Sequence, residues 1–144
     1  MIVAADLKDR EAFYEETAKT LGDEILEFNL WANAYTDGFM KGMSTPVLLS
    51  DILIFPEQAL PNLTPTGYVS FKEGDEFYDD SNWIADGNHY GIRIYDGQDG
   101  LLRDKIAYQE EPYYVLIRKE SVHLQHWGSG ETDFVYKVLE SWFA

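Results

Sequence analysis

The sequence predicts an α+β fold in which an antiparallel meander of about five to six strands carries one N-terminal and one C-terminal helix. Three observations lead there. Helical spacing of apolar residues is clearest in residues 6–21 and 131–143. Between them lie short β-branched and aromatic runs broken by turn residues, and these runs never alternate with helical segments as a parallel βαβ fold requires. With 144 residues and 45% apolar side chains, the chain can bury one core without disulfide or metal staples, so a single domain over residues 1–144 is expected.

In residues 6–21, Leu7, Tyr14, Ala18 and Leu21 share a helical face, Asp6 stands at an N-cap position and Gly22 where a glycine ends a helix. Residues 26–35 read two ways. Ile25, Phe28 and Ala32 continue a helical stripe, whereas Leu26, Phe28, Leu30, Ala32 and Ala34 alternate as in a strand, and the break at Gly22 favours the strand. Residues 47–55 form a branched apolar run closed by Pro56, the pattern of a buried strand. Pro56, Pro61 and Pro65 then impose a loop or short helical turns. Residues 67–72 read as a strand and the acidic residues 73–82 as an exposed loop. Further strands are expected at 89–96, 101–109, 113–119 and 121–127, joined by turns at 97–100 and 110–112. In residues 131–143, Phe134, Val135, Val138, Leu139 and Trp142 recur at helical spacing, with Glu131 and Asp133 at the positive end of the helix dipole.

Charge is the dominant bulk property: 26 acidic residues face 11 basic ones, a net charge of −15 at pH 7. Such a field repels phosphate backbones and anionic membranes and attracts cationic partners, so binding to duplex DNA or RNA at physiological salt is not expected. Without cysteine there is no disulfide framework, zinc knuckle or thiol nucleophile. The first ten residues carry no basic segment followed by an apolar run. The longest apolar run, residues 47–55, is interrupted at Ser50 and Asp51, short of the about 20 residues of a membrane-spanning helix. These features predict a cytoplasmic protein, a monomer or weak homodimer that folds without cofactor or metal.

His123 and His126 have an H-x-x-H spacing, but on a strand positions three apart point to opposite faces and cannot share a metal. Alternation places His89, Arg93 and Tyr95 on one face of a strand, with Gly91 between, and His123, Gln125 and Trp127 on one face of another. Should those faces coincide, they form a polar patch for an anion or for proton transfer. The carboxylates of residues 73–86 match neither a calcium-binding loop nor the spacing of paired catalytic acids. No nucleophile elbow, phosphate-binding loop or dinucleotide turn is present.

One combination points to a surface. Glu73, Asp75, Glu76, Asp79, Asp80 and Asp86 surround Phe77, Tyr78 and Trp83. Aromatic residues anchor protein interfaces, and acidic surroundings orient and accelerate approach of a basic partner. The expected function is therefore a non-enzymatic acidic inhibitor that occludes a basic protein surface. An immunity protein against a nuclease-type toxin fits that description, as does a phage-encoded inhibitor of a nucleic-acid-binding defence enzyme. Two alternatives stay open: a small hydrolase or ligand-binding domain using His89, Arg93 and His123, and an adaptor or accessory subunit whose acidity is incidental.

Overall fold

Four apolar residues, Ile2–Ala5, form β1, an interior strand of the sheet in a computed structural model that describes residues 2–21, 30–33, 35, 50–100, 102, 105–119 and 134–143. Helix α1 (Arg10–Leu21) follows, then β2 (Leu30–Asn33) and β3 (Ile52–Pro56). Strands β4 (Trp83–Ala85), β5 (Asn88–Tyr95) and β6 (Tyr113–Ile117) precede the terminal helix α2 (Phe134–Phe143). Sheet order is β2-β1-β3-β6-β5-β4. β1 runs parallel to both β2 and β3, while β3 with β6, β6 with β5, and β5 with β4 pair antiparallel.

The α+β class holds, but the sheet is mixed rather than an antiparallel meander. The difference arises at β1, which the sequence pattern hides. It is four residues long, only Ile2 and Val3 are strong strand formers, and burial on both faces leaves it no polar alternation. Its insertion between β2 and β3 creates the parallel pairs.

Asp6 does not cap the helix: it sits at φ 61°, and the cap is Asp9, whose carboxylate accepts the Ala12 N–H at 3.1 Å. The buried face of α1 is carried by Phe13 and Thr17, not by Tyr14, which stays exposed. Phe13 packs against Trp142 of α2 with ring centroids 5.8 Å apart. Both helices cover the same side of the sheet, joining a core with Ile2, Ala4, Ile52, Ile54, Ile92, Val115 and Ile117. The opposite side, with Val3, Ala5, Leu53, Phe55 and Leu116, is closed by Ala59, Leu60 and Leu63, from or just after the 3-10 turn Glu57–Asn62, and by Tyr68, Tyr90 and Trp83. Prolines 56, 61 and 65 thus produce short helical turns that serve as a lid, since none can continue an α-helix.

Two expected strands contract. Residues 67–72 make only isolated bridges, Tyr68 to Arg118 and Phe71 to His89. Among the described residues of 101–109, Ile106 alone bridges, to Leu7, and Leu102 turns the chain at φ 57°. The expected strand at 121–127, with His123 and His126, lies outside the described residues, as do residues 26–29 and 47–49 of the expected strands around β2 and β3. Conversely, the acidic segment ends in β4, a strand not anticipated. It pairs with β5 through Asp86 and Gly87, at φ 51° and 79°, the two left-handed residues of a tight hairpin turn.

Candidate interaction site around the β4–β5 hairpin

Residues 73–99 hold eight carboxylates, at 73, 75, 76, 79, 80, 86, 96 and 99, against a single arginine, Arg93. Seven of those acids are exposed and Asp75 is half-buried. Crowding of like charge costs folding free energy, so something must hold these loops in place.

Asn82, 6% exposed, is the hub. Its amide donates to the carbonyls of Phe77 at 3.1 Å and Gly91 at 2.8 Å, and its Oδ1 accepts the Asp79 N–H at 2.7 Å. His89 Nδ1 lies 3.0 Å from the Asp79 carbonyl and 3.1 Å from Asn82 Oδ1. Two acceptors around one ring nitrogen require that it carry the proton. The His89 ring stacks on Tyr78 at 4.3 Å. The acids themselves shape the turns. Asp75 Oδ2 accepts the Lys72 N–H at 2.7 Å, Asp79 Oδ1 the Ser81 N–H at 2.8 Å, and Asp96 Oδ1 the N–H groups of Gln98 and Asp99, both at 2.9 Å. Gly100 closes the 96–100 turn against Tyr95; a Cβ there would lie 2.1 Å from the Ile94 carbonyl oxygen. An open cleft of about 370 Å³ lies between the two loops, lined by Ser81, Arg93, Tyr95, Asp96 and Asp99.

Hydrogen bonds from the Ser81 backbone and hydroxyl, then the charges of Arg93 and His89, hold the Asp79 carboxyl below the ordinary aspartate range. The N–H groups of Asp99 and Gln98, then Arg93, do the same for Asp96. A depressed folded value means that the stability each confers is present above the unfolded pKa and is lost as pH falls through the folded one. In a carboxyl-carbon NMR titration both groups are expected to titrate below a disordered aspartate peptide; midpoints equal to the peptide's would show that these turns do not persist in solution.

The expected anchors divide. Phe77 is buried, 6.3 Å from Phe71 and 5.6 Å from Phe143 between ring centroids, and is withdrawn from any partner. Its neighbours in sequence are acids, but its position beneath α2 makes it a pin that fastens the loop to the core. Trp83 is half-buried against Tyr68 and Tyr90, and Tyr78 is half-buried on His89. The exposed apolar residue of this region is Ile84, at 50%. Strand alternation offered a signal for it, because Trp83 facing the core turns Ile84 outward.

The anticipated His89, Arg93 and Tyr95 face does not assemble. A bulge between Arg93 and Tyr95 shifts the register, so that Arg93 lies opposite Tyr114 and Tyr95 opposite Tyr113. Tyr113 and Tyr114 belong to opposite cores, and Tyr95 joins the Tyr113 side, stacked on Tyr108 at 3.9 Å.

A second polar centre escaped the sequence reading. Asp6, 7% exposed, accepts the Tyr113 hydroxyl at 2.5 Å and the Gln109 amide at 3.3 Å on Oδ2, and the Tyr35 N–H at 2.8 Å on Oδ1. It ties the chain beyond β1 and β2 to the start of β6. Its acceptor oxygens are engaged within the fold, which makes it a structural knot. Among the described residues no three His, Asp or Glu side chains gather as a metal-ligand set, and no helix is long and apolar enough to cross a membrane. Searched against protein-family models, curated proteins and solved structures, the chain matches none.

Proposed function

We propose that this chain is an acidic binding protein that occludes a basic surface of a partner protein, in the manner of an immunity protein against a nuclease-type toxin or a phage inhibitor of a nucleic-acid-binding defence enzyme. One observation carries the reading: eight carboxylates against one arginine within residues 73–99, seven of them exposed and several held in hydrogen-bonded turns. Carboxylates fixed before contact lose little freedom on binding, so they compete well for the lysine and arginine groups that otherwise hold phosphates. Occlusion requires no catalytic side chain.

The test is affinity capture of a partner followed by competition. Added stoichiometrically, the chain is expected to displace labelled duplex DNA from the captured protein. Combined Asp79→Asn, Asp80→Asn and Asp86→Asn substitution is expected to slow association by about tenfold or more at low salt, with little change in dissociation. A captured partner that keeps its full nucleic-acid binding, or a complex indifferent to ionic strength, would refute the proposal.

A further inference from the structure

Among the described residues the sheet ends at β4, and the hairpin register decides which way its peptide groups point. Asp86 and Gly87 form a two-residue turn closed by Ala85 and Asn88. In such a hairpin the closing pair exchanges hydrogen bonds, and the next pair, Ile84 with His89, directs its N–H and C=O groups away from one another. The far side of β5 bears this out, because the His89 carbonyl accepts the Phe71 N–H at 2.7 Å. The N–H and C=O of Ile84 consequently face the outer edge, which pairs with no strand among the described residues.

Edges of natural sheets are commonly guarded by lysine or proline. β4 has neither; its three residues and the register shift between Trp83 and Ile84 limit the exposed edge to one residue, a half-exposed isoleucine. Acidic turns bracket it, with Asp79 and Asp80 before the strand and Asp86 after it. From this juxtaposition we infer that the β4 edge accepts an extended, lysine- or arginine-bearing segment of the basic partner as an added strand, hydrogen-bonded to the Ile84 backbone. This rests on the occlusion reading and names its docking mode. A second copy of the chain is the wrong occupant, because edge-to-edge pairing would bring the aspartates of both copies together. With only Ile84 presenting both groups outward, the added strand supplies register, while the flanking carboxylates supply most of the attraction.

The probe is a ten-residue peptide of alternating lysine and valine, titrated into the labelled protein at low and moderate salt. The Ile84 amide is expected to shift most and, at saturation, to exchange at least about tenfold more slowly with solvent. Ile84→Pro removes that N–H without touching the β4–β5 ladder, and is expected to weaken peptide binding by about tenfold while the amide spectrum otherwise stays dispersed. If the triple Asp→Asn variant abolishes binding while the Ile84 amide of the wild type neither shifts nor gains protection, strand addition is overturned and charge-driven occlusion survives. If the peptide binds with no loss in that variant, both fall. Should Ile84→Pro fail to fold, exchange at Ile84 in the wild type still decides the matter.

Discussion

Alanine at position 6 is expected to destabilise the protein by about 3 kcal/mol or more, in a range that for a chain this size threatens folding at physiological temperature. Asp6 is buried and collects the Tyr113 hydroxyl, the Gln109 amide and the Tyr35 N–H. Its removal strands these donors, each at about 1–3 kcal/mol if water cannot reach it. Alanine also inherits φ 61°, which costs about 1–2 kcal/mol for a residue with a Cβ and no local hydrogen bond. Relief from burying a carboxylate offsets part of this. Asp6→Asn keeps an acceptor and tolerates the left-handed backbone, so about half the loss is expected; Tyr113→Phe, which deletes one donor, should cost about 1–3 kcal/mol. Urea denaturation orders the three variants, and an Asp6→Ala loss below about 0.5 kcal/mol would refute the knot. The same contact has an alkaline signature. Burial, then the hydrogen bond to Asp6, raises the Tyr113 phenol above the ordinary tyrosine range. Its contribution is fully present below the unfolded tyrosine pKa of about 10 and is lost as pH rises through the folded value. Tyr113→Phe is therefore expected to flatten the loss of stability above about pH 10.

The Phe77→Ala variant is expected to lose about 3–5 kcal/mol of stability, because a buried phenylalanine ring leaves a cavity that a packed core fills only in part. The vacated space borders Phe71 and Phe143, joining the acidic loop to α2. The loop should loosen with it, since the Phe77 carbonyl accepts from the Asn82 amide that organises the turn. Hydrogen exchange is expected to accelerate at 77–82 more than in β3 or β6. Trp83→Ala, half-buried on the opposite face, should leave those amides protected. Equal acceleration in both variants would mean that Phe77 does not pin the loop.

How far the sequence foretold this molecule can be followed at particular residues. α2 was legible because Val138, Leu139 and Trp142 repeat at helical spacing, and their burial or half-burial follows from that period. β3, β5 and β6 were legible from dense branched and aromatic runs. The acidic face was legible too, since charge needs no tertiary contact to be counted. β4 was missed although Asp86-Gly87 signals a tight hairpin; acidic neighbours masked three residues of strand.

Composition and local pattern by themselves determined the α+β class, the terminal helices and the concentration of negative charge in residues 73–99, because periodicity and charge are properties of adjacent residues. Only the tertiary structure decided that β1 runs parallel between two strands, that Asp6 abandons a helix cap for a hydroxyl 107 positions away, and that Phe77 turns inward while Ile84 turns out. Each of those choices depends on partners distant in the chain, and burial beside such a partner outweighs a local preference worth about 1 kcal/mol.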